Sequence, residues 1–273
     1  MKLGFIGGGN MAQALMIGLK SQQFVMQTIT VIELDANKRL ELGQLGANTS
    51  DDLANIEACD VIVLAVKPQQ LQQIAKKLAP LLRQQLVISI AAGIKLTDLS
   101  RWLGNYKTTI RAMPNTPAQI QAGITGLYAM PSVSKAQTAQ ADLILSAAGS
   151  TVWLDSEEKL DAVTAISGSG PAYVFYLIEA LQTAAIELGL NAAQAKQLSI
   201  ATFKGASLLA DASETPIATL REQVTSKGGT TEQGLLSLQQ SQVQQAILLA
   251  AQKACDRAKS LGIELGRDEL AKD

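Results

Sequence analysis

Between Leu220 and Leu235 the chain reads LREQVTSKGGTTEQGL, placing hydroxyls, paired glycines and a helix start within one short turn. Such a turn suits a small anion. Gly228 and Gly229 leave backbone N–H groups uncovered, and Ser226, Thr230 and Thr231 add hydroxyls. The apolar run after Gly234 predicts a helix whose N-terminus points back at the turn. A carboxylate or phosphate fits there. The competing reading of the same residues is a well-capped interhelical loop, with Thr230 and Gln233 as a capping box.

A second group lies near the N-terminus, where Gly7, Gly9 and Ala12 form G-x-G-x-x-A between a short apolar strand and an amphipathic helix. The first glycine permits a tight turn, the second lets a pyrophosphate approach the backbone, and the small third residue allows close helix packing. In that setting the pattern favours dinucleotide binding over a purely structural turn. Glu33 falls where an acidic residue would bond the adenosine ribose hydroxyls of NAD, whereas Lys38 and Arg39, one helical turn on, would suit the 2′-phosphate of NADP. A solvated-surface reading of all three stays open.

Three further turns carry candidate chemistry. Ala65-Val66-Lys67-Pro68 follows an apolar strand, with Pro68 expected at the first position of a helix and Lys67 facing either the cofactor or solvent. Ala91-Ala92-Gly93 closes another strand with residues small enough to admit a flat ring. In RAMPNTP, from Arg111 to Pro117, Asn115 and Thr116 could orient a nicotinamide amide or simply satisfy their loop. Ser167-Gly168-Ser169-Gly170-Pro171 reads equally as a helix cap or a ligand contact.

The elements that must position these residues change character along the chain. Strand-like runs KLGFI, ITVIEL, VIVLAV and LVISI alternate with helical stretches at Met11 to Lys20, Lys38 to Leu45 and Leu71 to Leu82. Every residue of VIVLAV and almost every one of LVISI is apolar, as central strands covered on both faces should be. Further strands are expected at Thr108 to Ala112, Gly126 to Met130 and Thr151 to Leu154, with a helix from Lys135 to Ala147. The predicted fold is α/β: a Rossmann-type doubly wound sheet over residues 1–155, then an all-helical domain over 156–273. Its helices are expected at Glu157 to Ile166, Pro171 to Leu188, Ala192 to Ala210, Ile217 to Val224, Thr231 to Leu238 and Val243 to Leu261. Several carry so few charges that a monomer could not hide every apolar face, which predicts a homodimer or higher homo-oligomer through this domain.

Composition narrows the chemistry. The 273 residues include no histidine, which removes His-based general acids, charge-relay triads and most zinc sites, and no metal is expected. A formal net charge of −1 gives no basic surface for nucleic acid. No apolar run is long enough to span a membrane, and the glycine-interrupted start fits a secretion signal poorly. The two cysteines, Cys59 and Cys255, show no metal-ligand spacing and suit a reducing cytoplasm.

Taken in order, GFIGGGNMA, AVKP, RAMPNTP, SGSGPAY and LREQVTSKGGTTEQGL resemble the pyrroline-5-carboxylate reductases, which catalyse the last step of proline biosynthesis. The resemblance spans nearly the whole chain, and its most specific element is the S-x-G-G-x-T loop. It implies reduction of 1-pyrroline-5-carboxylate to L-proline with NADPH, or alternatively NADH, and a substrate site formed with the helical domain. Gly7, Gly9, Asn10, Met11 and Ala12 match the phosphate-binding turn, Ala65, Val66, Lys67 and Pro68 the second cofactor loop, and Ala91, Ala92 and Gly93 the nicotinamide side. Ser226, Gly229, Thr230 and Thr231 correspond to the substrate-carboxylate cradle, with the Thr231 hydroxyl as partner of the ring nitrogen. Glu157 and Glu214 match acidic positions associated with the site. The chain departs from the family pattern at Glu33-Leu34-Asp35, where small or basic polar residues are common, and at Asp52, where asparagine is. Both bear on the choice between NADPH and NADH. One rival is a β-hydroxyacid dehydrogenase-like enzyme, whose lysine and asparagine one helical turn apart are missing: Lys204 is followed by Ser207 and Leu208, Lys196 by Ser199 and Ile200. The other is a non-catalytic dinucleotide sensor, which would not need the Leu220 to Leu235 loop.

Overall fold

The computed structural model describes residues 1–267. Its sheet has eight strands: β1 (Leu3–Ile6), β2 (Ile29–Ile32), β3 (Asn48–Ser50), β4 (Val61–Leu64), β5 (Leu86–Ser89), β6 (Thr109–Met113), β7 (Gly123–Ala129) and β8 (Gly149–Trp153), in the order β3-β2-β1-β4-β5-β6-β7-β8. The first six run parallel, with Leu3 opposite both Ile29 and Val61. β7 turns antiparallel to β6, and β8 is parallel to β7. The doubly wound Rossmann-type reading therefore holds, with the exception that β7 reverses direction.

Strand alternation divides the core between the two faces of the sheet. Val61 and Val63 of β4 and Leu86 and Ile88 of β5 face one cluster, shared with Ala12, Leu15 and Leu19 of α1 (Asn10–Ser21) and Ile144 of α5 (Lys135–Ser146). Ile62, Leu64 and Val87 face the other, with Leu71, Ala75 and Leu78 of α3 (Pro68–Leu78) and Leu99 and Trp102 of α4 (Leu96–Trp102). Both faces are covered, which is why these central strands are apolar but for the buried Ser89 at the end of β5. α2 (Ala36–Gln44) completes the crossovers, starting on an Asp35 cap that accepts from the amides of Asn37 and Lys38.

Past the sheet come α6 (Lys159–Val163), a π-helical turn at Thr164–Gly168, α7 (Gly170–Glu187), α8 (Ala192–Asp211), α9 (Ile217–Gln223), α10 (Thr230–Gln240) and α11 (Val243–Gly266). The chain forms two compact units: Met1–Ser169 together with the chain from Lys253, and Gly170–Gln252. They do not divide at residue 155, where the sequence pattern changes. α6 and the π-helical turn remain with the sheet, tied by the Val163 side chain against Gly126 and by Asn115 bonding Ser167, and the end of α11 belongs to the same unit.

Within the second unit, α7 and α8 pack on each other. No residue of α7, α9 or α10 is buried, and in α8 only Ala195 and Ser199 are. Phe175 is 66% and Tyr176 71% exposed, and Leu208 and Leu209 of α8 are exposed too. These helices hold no core of their own.

Candidate active site

The crevice at the carboxyl edge of β1, β2 and β4 is built by the turn that leaves β1. Gly7 sits at φ +97°, donates its N–H to the Ile32 carbonyl at 2.8 Å, and a Cβ there would lie 2.8 Å from the Ala65 carbonyl oxygen. Only glycine meets both conditions. Gly9 caps α1, and no atom approaches its Cβ position within 4 Å, so its face is open. The amides of Asn10 and Met11 follow in the first turn, where a helix provides no acceptors and no acidic residue intrudes. Met11 is half-buried and Ala12 fully buried against the core, closing α1 onto the sheet as the small third residue of the pattern requires.

This turn opens onto a cavity of about 450 Å³ lined by Gly7 to Gly9, Glu33, Lys38, Ala65, Val66, Lys67 and Lys77. Three lysines face it and Asp51 and Glu33 offset part of their charge. A glycine turn with an open face, orphan helix amides and flanking cations fits the diphosphate of a dinucleotide. Pro68 stands at the first position of α3 behind the Lys67 cap, as the sequence predicts.

At the β2 end of the cavity the Glu33 carboxylate is held by two backbone donors. Gly8 N–H gives to Oε2 at 2.9 Å and Asp35 N–H to Oε1 at 3.1 Å. Glu33 is thus part of the glycine turn and not a loose surface charge. Arg39, the other candidate for a 2′-phosphate, is committed elsewhere: its guanidinium donates to the carbonyls of Glu33 and Leu34 at 2.7 and 2.9 Å and pairs with Asp51 at 3.4 Å. Lys38 lines the cavity from an exposed position.

On the far side of β4, the turn after β5 has Ala91 buried, Ala92 half-buried and Gly93 at φ +83°. Asn115 donates to the Ser167 carbonyl at 3.1 Å and accepts from the Ile124 amide at 2.9 Å, which engages one of its two amide hydrogens and one lone pair. Both bonds satisfy its own loop, as one of its two sequence readings expects. Thr116 opens a 3-10 turn. Ser167 and Gly168 lie in the π-helical turn, with the Ser167 hydroxyl bonded to the Val163 carbonyl.

Glu157 is placed in a buried network. Its Oε1 accepts from the Leu96 amide at 2.7 Å and from Arg111 at 3.1 Å, while Arg111 also bonds Asp161 at 3.3 Å. Arg111 is 3% exposed. The trio joins β6 to α6 and supplies the first amide of α4 with an acceptor, a structural task that the sequence pattern gave no sign of. Cys59 lies just before β4, at the edge of the sheet opposite the crevice. Burial, with Asp60 nearby, pushes its thiol up to about 11, so it stays protonated and inert at neutral pH.

In the second unit the S-x-G-G-x-T loop is exposed and leads straight into α10, whose cap is Gly229. The predicted Thr230–Gln233 capping box does not form, because Thr230 is already inside the helix and no side chain caps it. The glycine amides, expected to be uncovered, are engaged within the loop: Gly229 N–H gives to the Ser226 carbonyl at 3.0 Å and Gly228 N–H to Glu232 Oε2 at 2.7 Å. The donors left at the helix start are the amides of Thr230, Thr231 and Glu232, with the two threonine hydroxyls beside them. Gly228 takes φ +73° to make the turn. Glu232 was missed by sequence reasoning, although a glutamate three residues past a cap is a recognised sign of a side chain reaching back. Glu214 is exposed between α8 and α9. Among the described residues no group of three or more Cys, Asp or Glu could hold a metal, and no helix is long and apolar enough to cross a membrane.

A doubly wound sheet with an open glycine turn and a cation-lined crevice at its carboxyl edge defines a Rossmann-type dinucleotide-binding oxidoreductase. Residues 2–93 match a family described as NADP oxidoreductase, coenzyme F420-dependent, and residues 157–261 match the pyrroline-5-carboxylate reductase dimerisation family. The chain is 42% identical to the pyrroline-5-carboxylate reductase of Pseudomonas aeruginosa over 96% of its own length and 98% of that protein's. It is 39% identical to the one from Pasteurella multocida, over 94% and 96%. A solved pyrroline-5-carboxylate reductase from Coxiella burnetii superposes with a TM-score of 0.92 at 38% identity, covering 95% of this chain and 98% of that one. The Plasmodium falciparum enzyme, solved with NADP bound, gives 0.84 at 28% identity, covering 96% and 98%. The chain belongs to the pyrroline-5-carboxylate reductase family.

Proposed function

We propose that this protein reduces 1-pyrroline-5-carboxylate to L-proline with NAD(P)H. The observation that carries the reading is the near-full-length similarity to reductases of that name, with the dinucleotide crevice and the S-x-G-G-x-T loop both intact in the chain. A bound nicotinamide dinucleotide supplies the hydride. Gly7, Gly9, Asn10, Met11 and Ala12 form the turn that takes its diphosphate, Glu33 and Lys38 meet the adenosine end, and Ala65 to Pro68 and Ala91 to Gly93 continue the cofactor surface.

The substrate is a cyclic imine whose protonated nitrogen makes the adjacent carbon electrophilic, so the protein has to orient more than to protonate. A chain with no histidine is suited to that task. In this reading the amides and hydroxyls of Thr230 and Thr231, with Ser226 and Gly229 shaping the turn, bind the substrate carboxylate. The Thr231 hydroxyl bonds the ring nitrogen, and Glu214 lies in the loop before α9 as an outlying member. Glu157 is bound into the Arg111 network and holds the sheet side of the fold.

The exposed apolar faces of α7 and α8 fit a second copy of the chain, which makes a homodimer the functional form. Two free thiols agree with a cytoplasmic setting. Purified protein given 1-pyrroline-5-carboxylate with NADPH or NADH should lose nicotinamide absorbance and accumulate proline. No proline with either cofactor would overturn the proposal.

A further inference from the structure

We infer that Gly262 is a positioning residue for the nicotinamide half of the cofactor site, acting through the backbone of Gly93. The inference rests on the cofactor reading above. With a diphosphate at the Gly7 to Gly9 turn and the adenosine directed to the β2 end at Glu33, the strand order β2-β1-β4-β5 sends the nicotinamide half toward the ends of β4 and β5. Ala91-Ala92-Gly93 is the turn that leaves β5.

That turn is held from behind by the end of α11. A Cβ on Gly262 would lie 2.6 Å from the Gly93 carbonyl oxygen, and a Cβ on Gly93 would lie 3.5 Å from the Gly262 amide nitrogen. Helix and turn meet backbone to backbone, and the obstructing atom is a main-chain oxygen that no rotamer change can move aside. One helical turn on, the Gly266 carbonyl accepts from Arg101 at 2.8 Å, and Arg101 also bonds Asp98 of α4 at 2.8 Å. Leu265 packs against the cluster that contains Ala91, Ile94 and Leu99. Gly93 is buried at φ +83°, so its conformation is fixed by this seat as well as by its own torsions. A methyl at position 262 must lift the Gly93 carbonyl, which shifts the turn by a substantial fraction of an ångström, or push α11 away, which takes from the turn the seat that holds it. Misplacement of about 1 Å at a reacting partner can lower a rate by roughly 100-fold.

The test compares ligands that do and do not carry nicotinamide. Dissociation constants for NADPH, NADH and ADP-ribose are measured on the full chain for wild type, Gly262→Ala, Arg101→Lys and the control Gly43→Ala, whose Cβ meets nothing within 4 Å. Gly262→Ala should weaken NADPH and NADH binding about tenfold or lower kcat by at least that factor, with ADP-ribose binding within twofold of wild type. Arg101→Lys should do the same more weakly, and decides the matter if Gly262→Ala does not fold. An equal loss for ADP-ribose and the full dinucleotides would mean general damage to the fold and overturn the inference. So would unchanged NADPH and NADH binding with unchanged turnover. Because the binding comparison needs no substrate, a wild-type protein that binds the dinucleotides without making proline would defeat the proposed reaction and leave this inference standing.

Discussion

Replacing Glu157 with alanine separates a structural carboxylate from a substrate-binding one. The Leu96 amide, at the first position of α4, has no helical acceptor and depends on Glu157 Oε1 at 2.7 Å. Leaving such a buried donor unsatisfied costs about 1–3 kcal/mol. The hydrogen bond lost from Arg111, charge-assisted and 3.1 Å long, is worth roughly 1.5–3 kcal/mol. The Arg111 side chain, 4% exposed, would keep only Asp161 at 3.3 Å. The sum, about 2.5–6 kcal/mol, brackets the roughly 3–5 kcal/mol usual for breaking a buried ion pair by removing one member. At about 2–4 °C per kcal/mol for a chain of this order of size, Tm should fall by roughly 10 °C, compared at equal protein concentration because an oligomer's Tm depends on it. Glu157→Gln keeps the shape and the acceptor and should lose only about 1–2 kcal/mol. Calorimetry gives the Tm values, and steady-state kinetics well below both transitions gives KM for 1-pyrroline-5-carboxylate, expected within twofold of wild type. An unchanged Tm with a large rise in KM would refute this reasoning and return Glu157 to the substrate.

Three other perturbations have defined outcomes. Glu33→Ser removes a carboxylate fixed on the glycine turn, which the proposed function sets beside the adenosine ribose, and should raise the ratio of kcat/KM for NADPH over NADH about tenfold, as expected for relief of a like-charge contact; an unmoved ratio would mean that the carboxylate does not meet the ribose. Thr231→Ala should lower kcat by about 100-fold with cofactor binding nearly unchanged, and equal loss of both would make the loop structural. Cys59, held protonated by burial with its pKa raised to about 11, should resist iodoacetamide at pH 7.5 in the folded protein and react after unfolding, as peptide mass mapping will show. Rapid alkylation in the native state would contradict its placement.

The sheet was legible where its central strands are apolar on both faces, at VIVLAV and LVISI, and the glycine turn was legible because G-x-G-x-x-A fell between a strand and a helix. β3 was missed since Asn48-Thr49-Ser50, an edge strand with one neighbour, has no apolar residue to betray it. α4 has seven residues and is hidden behind the Gly93 turn. The reversal of β7 leaves no trace in composition, because periodicity reports which face a residue takes and not which way the strand runs. Boundaries within the helical region were close: α7 and α8 were expected from Pro171 and Ala192 and begin at Gly170 and Ala192. What sequence could not reveal were contacts made across long separations. Glu157 on Leu96 and Arg111, and Gly262 on Gly93, join residues with no shared motif, and Glu33 on Gly8 is a direct bond that their shared pattern did not announce. The Glu232 contact with Gly228 is local, but it was obscured by the stronger lexical pattern of paired threonines.

The most direct test of the central claim follows the hydride itself. NADPH or NADH carrying deuterium at the transferring position of the nicotinamide is mixed with 1-pyrroline-5-carboxylate and the purified protein, and the product is read by mass spectrometry and NMR. The account predicts L-proline with one deuterium on the δ-carbon next to the ring nitrogen, formed in step with cofactor oxidation. Cofactor oxidation without proline, or proline free of the label, would contradict it.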